Sequence, residues 1–324
     1  MACTANLAQI AQIIREHDNF VICGHMSPDG DCLGSQLCLA MALESLGKHA
    51  LCVFAKDASF DRGLAGLPGI ECIVCAVNCD IEPEVFIAVD VPTLDRMGDA
   101  AALHTKAHMT ITLDHHASKE LISDYNYIDS DKAAAAMIIW DLLTYLEVKP
   151  SKDMARCAYM GLMTDTGRFQ FQNATADTFA TAAEMIRAGA DAARAAQDFF
   201  QNRTLASVQL EERCISRIKL FSHEQAAISW LSLSDFEELG ASKADAEPLV
   251  DVLRSLTGVR VVCMLREQED VVRGSFRAKD DTDVSVLAAR FGGGGHKAAA
   301  GFTYKGSLKD AIVETTAAIE AALS

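Results

Sequence analysis

No apolar run in the 324-residue chain approaches the roughly 18 residues that a membrane span requires, although half of the residues are apolar. A membrane partner is therefore not expected. The opening MACTANLAQIAQIIREHDNF has neither a basic start nor a compact apolar block, so it does not read as a secretory signal. Its Leu7, Ile10, Ile13 and Ile14 fall instead on one side of an amphipathic helix, and a cytoplasmic location is the expectation. Positive charge is scarce as well: 29 Lys and Arg against 45 Asp and Glu leave a formal net charge of −16. That balance excludes a broad basic surface for coating long duplex nucleic acid. It leaves room for a small anionic substrate held by bound cations and a few arginines. Internal repeats and low-complexity tracts are absent. At this length, two domains of ordinary size are expected.

Cysteine, by contrast, is plentiful, with eleven residues. Cys23, Cys38, Cys52, Cys157 and Cys263 sit inside apolar stretches, where a thiol behaves as a small hydrophobe. Disulfides are not expected in a reducing cytosol. Cys72, Cys75 and Cys79 have a spacing that resembles a metal motif. They supply only three ligands, however, and the intervening Ile73 and Val74 make the segment read as a buried strand with packed thiols.

Short β-branched runs alternate with helical patterns through the first ~200 residues, as in a parallel sheet with crossover helices. Strands are predicted at 20–24, 50–54, 85–89 and 108–113, and helices at 31–46, 133–146, 152–163 and 175–188. A charged helical stretch follows. A second α/β mixture then has strands at 226–231, 260–265 and 271–276, the last two as a hairpin, and helices at 247–256, 284–291 and 308–322. The reading is an α/β protein with a parallel-sheet domain over 1–190, a helical connector over 191–220 and a smaller α/β domain over 221–324.

Ligands of open α/β sheets bind outside the carboxyl ends of the strands, and the polar clusters fall there. His25-Met-Ser-Pro-Asp29-Gly-Asp31 follows the first strand. Its Pro and Gly force a tight turn that can bring His25, Asp29 and Asp31 onto one rim, although PDGD also makes an ordinary turn with a helix cap. Asp90 ends the strand VFIAV, where a lone aspartate is commonly a cap. Asp114-His115-His116 ends MTITL, and three ionisable residues there are costly to bury. Thr164-Asp165-Thr166-Gly167 follows an apolar helix. Each cluster is unremarkable alone, but four converging on one sheet edge suit hard divalent cations, with imidazole adding affinity for transition metals.

HMSPDGDCLGS, FIAVD, LDHH and LMTDTG, in this order, resemble the four motifs of the DHH phosphoesterase family. FGGGGHKAAAGF resembles the glycine-rich motif of that family's associated C-terminal domain. The resemblance implies two divalent ions, manganese in the first instance with magnesium as the alternative. It implies His25, Asp29 and Asp90 around one ion, and Asp31, Asp90, His115 and Asp165 around the other. Asp114 would orient a ligand histidine, and His116 would face the substrate phosphate. Asp90, Asp114 and His116 are thus the catalytic candidates. Two cations ~3.5–4 Å apart suit in-line phosphoryl displacement.

Four glycines, Gly292 to Gly295, followed by His296 exceed what a helix terminator needs. A bare backbone can approach a phosphate or base closely, so Gly293, Gly294, Gly295 and His296 are candidate substrate contacts, with Ser275 and Arg277 of GSFRAK. The compact two-domain layout resembles the NrnA-type branch, which implies short RNA oligonucleotides or 3′-phosphoadenosine 5′-phosphate as substrate. The substrate's scissile phosphate is expected on the metals and its nucleoside against the glycine loop. Cyclic or linear dinucleotides and single-stranded DNA, as in RecJ-like exonucleases, are the rival substrates. A catalytically silent nucleotide sensor is the non-enzymatic rival. A homodimer is implied by the resemblance alone. Where many relatives open a helix with small hydroxyl residues, this chain has Lys132 and Ala133–Ala136, so the rim and substrate preference are expected to differ in detail.

Overall fold

A computed structural model describes residues 2–55, 62–117 and 120–323, without the side chains of Arg62 and His296. It divides into two compact units, 1–202 and 203–324. Among the described residues, no helix is long and apolar enough to cross a membrane.

The first unit opens with β1 (Cys3–Thr4) and α1 (Leu7–Glu16). Asn6 starts α1 through a reciprocal box, its side chain accepting from Gln9 N–H while the Gln9 side chain accepts from Asn6 N–H, 2.9 Å each. β2 (Phe20–Cys23), α2 (Gly30–Ser45), β3 (Ala50–Phe54), β4 (Val74–Cys75), β5 (Val85–Val89), α3 (Ala101–Lys106), β6 (Met109–Asp114) and β7 (Tyr125–Ile128) follow. Then come α4 (Ala135–Tyr145), α5 (Lys152–Asp165), α6 (Ala176–Arg187) and α7 (Ala192–Phe200). Seven strands form a sheet of order β1-β7-β6-β5-β2-β3-β4, and every pairing is parallel. β2 and β5 are buried at every residue, which is why they read as continuous apolar runs rather than alternating ones.

Strand order places the chemistry. From β2 the chain steps to β3 on one side, whereas β5, β6 and β7 lie on the other. The loops after β2 and β5 therefore diverge and open a crevice at the carboxyl ends of the strands. That crevice receives the segments after β2, β5 and β6.

Two helices complete its wall at unusually short range. A Cβ on Gly34 of α2 would lie 2.3 Å from the Cys157 carbonyl oxygen of α5. One on Gly30 would meet the Thr164 side chain at 2.4 Å, and one on Gly161 would meet Asp31 Oδ1 at 2.7 Å. Glycine at these three positions lets α2 and α5 touch through their backbones, so Asp31 near the start of one meets Asp165 at the end of the other.

The second unit contains α8 (Leu205–Ser216), β8 (Lys219–Phe221), β9 (Ala226–Leu231), α9 (Leu233–Leu239), α10 (Leu249–Arg254), β10 (Val261–Glu267) and β11 (Val272–Ala278). It closes with α11 (Val284–Ala289), β12 (Gly294–His296), β13 (Ala299–Tyr304) and α12 (Leu308–Leu323). Its sheet has the order β12-β13-β11-β10-β9-β8, mixed because β9 and β10 run parallel while the other pairs are antiparallel. The expected hairpin is present, with Val261 opposite Ala278 and Glu267 opposite Val272. One face packs Phe276 and Phe302 against α11 and α12 residues, and the other packs Val262 and Met264 against α8 and α10 residues.

The stretch 191–220 is divided between the units, with α7 in the first and α8 in the second. The Cys72–Cys79 segment is not a buried strand. Val74 and Cys75 form a two-residue, half-buried edge strand, Cys72 is exposed and Cys79 half-buried. Ile73 carries the packing instead. Among the described residues, these thiols do not gather as a ligand set.

Candidate metal centre

β2 ends at Cys23, and the next turn carries His25 and Asp29 to the crevice. Asp29 has two tasks. Its Oδ1 caps α2, accepting from Asp31 N–H at 3.1 Å and Cys32 N–H at 3.0 Å, while Oδ2 lies 3.6 Å from His25 Nε2. Capping α2 therefore does not take Asp29 out of reach of His25.

Asp90 stands at the centre. It leaves β5 with φ +61°, a left-handed backbone that aspartate tolerates better than most residues but at a cost of order 1 kcal/mol. Its N–H is held by the Leu113 carbonyl at 3.0 Å. The residue is 2% exposed, with Oδ2 3.3 Å from His25 Nε2 and Oδ1 3.4 Å from both His115 Nε2 and His116 Nδ1. His115 Nε2 also lies 3.2 Å from Asp165 Oδ2 and 3.8 Å from Asp31 Oδ2. Ligand atoms of His25, Asp29 and Asp90 form one compact group, and those of Asp31, His115 and Asp165 form another. A further combination, Asp90 with His115 and His116, joins them.

The remaining neighbours position these groups. Asp31, fully buried, accepts from Ala135 N–H (2.6 Å, Oδ2) and from Ala136 N–H and Ser35 Oγ–H (2.9 and 3.1 Å, Oδ1). The N-terminus of α4 thus holds an anion through its unsatisfied amides, a task that needs no hydroxyl side chain. The alanines at 133–136 are compatible with it. Asp114 accepts from His116 Nδ1 at 2.7 Å, so the histidine that it visibly orients is His116, the one expected to face phosphate. Asn173 Nδ2 donates to the carbonyls of Ala133 and Asp165, 3.1 Å each, tying the α4 entry to the α5 exit. Ser35 closes the first motif, HMSPDGDCLGS, whereas Asn173 and the two amides carry no motif signature, because their task is set by tertiary proximity.

Electrostatics show what the cluster needs. Burial works against the His115 imidazolium, but the carboxylates of Asp165 and Asp90 outweigh it and hold the pKa well above the ordinary value. His25 is raised too. Burial opposes its charge and Cys32 is a close neighbour, but that thiol is itself pushed up to about 12 by burial and stays neutral near pH 7. Asp29 and Asp90 therefore supply the attraction. Asp31 and Asp165 are raised by burial and by neighbouring carboxylates, whereas Asp90 stays low against its burial because the His115 and His25 imidazoles lie beside it. The carboxylates thus raise one another's affinity for a proton. Asp90 Oδ1 is buried without a hydrogen-bond donor. A carboxylate oxygen in that condition, among imidazoles and three more carboxylates, fits hard divalent cations.

In the second unit, Ser275 Oγ accepts from Arg266 Nη2 at 2.8 Å. Arg277 donates to the Phe276 carbonyl at 3.0 Å, its pKa lowered by burial against the opposing pull of Asp251 and Glu247. The glycine run divides by cause. Gly292 (φ +71°) ends α11, a Cβ on Gly293 would sit 2.1 Å from the Gly301 carbonyl oxygen, and Gly295 (φ +143°) faces Ala299 and Ala300. Gly294 alone of the four has a negative φ and open space around it. Steric need therefore accounts for three of the four glycines. The His296 side chain lies outside the described residues.

The family model of the DHH family, N-terminal domain, matches residues 19–162, and that of the DHHA1 domain matches 224–324. The chain is 30% identical over 306 residues to the bifunctional oligoribonuclease and PAP phosphatase NrnA of Thermus thermophilus, covering 94% of this chain and 90% of that one. It is 26% identical over 300 residues to the Bacillus subtilis protein of the same name, covering 90% and 91%. Among solved structures, an exopolyphosphatase-related protein from Bacteroides fragilis shares the fold at TM-score 0.89 and 24% identity, covering 98% of this chain and 95% of that one. The exonuclease RecJ bound to manganese aligns at TM-score 0.54 and 15% identity, covering 98% and 94%.

Proposed function

The chain belongs to the DHH phosphoesterase family, and from that premise we propose that it hydrolyses short RNA oligonucleotides and 3′-phosphoadenosine 5′-phosphate with two manganese ions. The observation that carries the reading is the pair of ligand groups around Asp90, together with relatives whose names state both activities. His25, Asp29 and Asp90 would hold one ion, and Asp31, His115 and Asp165, again with Asp90, the other. When bound, such cations activate water and neutralise charge on phosphoryl oxygens.

The protein's own part is to fix geometry and to place protons. The α4 amides and Ser35 lock the Asp31 carboxylate, and Asn173 fixes the backbone at Asp165. Asp114 holds the Nδ1 proton of His116, and its charge and that of Asp90 raise the imidazole pKa against the effect of burial. A second proton on Nε2 then gives the proposal its general acid for the leaving oxygen. Ser275, Arg277 and the glycine run are assigned to the nucleotide. In this reading residues 1–190 are the catalytic domain and 221–324 the substrate domain. A cytoplasmic location and a homodimer belong to the proposal on family membership alone.

A substrate panel tests it: 3′-phosphoadenosine 5′-phosphate, a diribonucleotide, a long RNA, single-stranded DNA and a cyclic dinucleotide, each with manganese. Release of phosphate from the first and mononucleotides from the second is expected. Turnover confined to single-stranded DNA or to the cyclic dinucleotide would replace the substrate assignment. Silence on all five would favour a sensor.

A further inference from the structure

Arg96 lies six residues after Asp90, in the short helical segment Leu94–Ala100, and nothing in the four motifs includes it. Its backbone is fastened to the turn that carries His25: Met26 N–H donates to the Arg96 carbonyl at 2.8 Å. The neighbouring Met97 is fully buried, so the segment is anchored from below. Arg96 is an exposed residue, and its side chain reaches back over the same turn. Its Nη2 lies 3.4 Å from the Met26 carbonyl, to which it donates, and 3.4 Å from His25 Nδ1. His25 Nδ1 also lies 2.9 Å from that carbonyl, so both side chains converge on one oxygen at the rim of the cluster.

An arginine placed there for stability would be paired with a carboxylate. Among the described ion pairs, none involves Arg96, although Lys132, three residues before α4, pairs with Asp141. A guanidinium carries five donors in a planar fork, and one carbonyl occupies little of that capacity. An anchored backbone reduces the entropy lost when the side chain engages a ligand. Beside a buried cluster of carboxylates, a fixed positive charge attracts an anion arriving from solvent, and phosphate matches the fork bidentately.

We propose that Arg96 is a substrate-binding residue of this site that grips a non-bridging oxygen of the phosphoryl group. The assignment deepens the phosphoesterase reading and rests on it. Charge also sets a preference. One arginine gains more from the dianion of a phosphomonoester than from the single charge of a phosphodiester, so Arg96 favours monoester substrates over dinucleotides.

The test compares wild type, Arg96→Ala and Arg96→Lys, each saturated with manganese, by measuring the affinity for inorganic phosphate and then kcat/KM on 3′-phosphoadenosine 5′-phosphate and a diribonucleotide. Arg96→Ala is expected to bind phosphate about tenfold more weakly, in line with the loss of one charge-assisted contact, with unchanged thermal unfolding and manganese uptake. Its kcat/KM is expected to fall more on the monoester than on the diester, and Arg96→Lys to recover part of both losses. Phosphate affinity within twofold of wild type in Arg96→Ala would overturn the assignment, as would a wild type that takes up manganese but binds no phosphate. The phosphate measurement needs no turnover. Wild type that binds phosphate through Arg96 yet hydrolyses nothing would defeat the proposed function while leaving the contact in place.

Discussion

Replacing Gly34 by alanine sets two effects of opposite sign against each other. Intrinsic helix propensity favours alanine over glycine by about 1 kcal/mol in a helix interior. The packing opposes it, because the new Cβ would lie 2.3 Å from the Cys157 carbonyl oxygen and 3.2 Å from the Gly161 nitrogen. Both obstacles are α5 main chain and cannot rotate away. Restoring an ordinary contact requires the helices to part by roughly 1 Å, and overpacking of this kind costs typically 1–3 kcal/mol. A rigid obstacle puts the cost at the upper end, so the net expectation is a loss of about 2 kcal/mol. For a unit of this size, that lowers the unfolding midpoint by roughly 4–8 °C. The same displacement separates Asp31 on α2 from Asp165 at the end of α5, so manganese affinity should fall by at least about tenfold, near 1.4 kcal/mol. Thermal unfolding with and without manganese reads both quantities. An alanine variant as stable as wild type or more so, with unaltered metal affinity, would show that the close helix contact does not hold the site.

Three other outcomes follow from separate parts of the molecule. Asp235 is 1% exposed and accepts from Arg213 Nη1 at 3.0 Å and Arg217 Nη2 at 2.8 Å. Burial would raise its pKa, but Arg217 and Ser232 outweigh that and depress it. Its contribution is therefore fully present above the unfolded-state value near 3.9 and is lost as pH falls through the lower folded-state value. Asp235→Asn should cost about 2–3 kcal/mol at pH 7 and flatten the acid limb of a stability–pH profile measured in urea. Gly294→Ala should leave the unfolding midpoint unchanged, since nothing stands near its Cβ, yet raise KM for 3′-phosphoadenosine 5′-phosphate if the loop backbone meets the nucleotide. Manganese affinity should weaken as pH falls, because the raised His25 and His115 must release protons before they can bind a cation. Calorimetry at several pH values in buffers of different ionisation enthalpy would reveal those protons.

The sequence carried the parallel sheet and the four acidic clusters because continuous apolar runs and the polar residues just after them are local signals. β2, β3 and β5 begin where the pattern places them, and the six expected metal ligands lie in two adjoining groups. Elements set by pairing were less legible. β4 and β12, two and three residues long, have no periodicity to detect, and β7 (Tyr-Asn-Tyr-Ile) has a buried Asn126 whose amide donates to the Cys3 and Ser123 carbonyls. Gly30, Gly34 and Gly161 look like ordinary helix glycines until α2 and α5 are seen together. Arg96 likewise stands in no motif, and only the fold of its segment over the His25 turn places it at the rim.

Metal uptake by purified protein bears most directly on the account. After chelation and dialysis against excess manganese, the wild-type chain should retain two ions, seen by elemental analysis and by the magnetic coupling of a neighbouring pair in electron paramagnetic resonance. Asp90→Asn should lose that coupling and all turnover while keeping the wild-type circular dichroism spectrum. A wild-type chain that retains no manganese, or an Asp90→Asn chain that keeps a coupled pair, would contradict the assignment of Asp90 as the shared ligand of a two-ion centre.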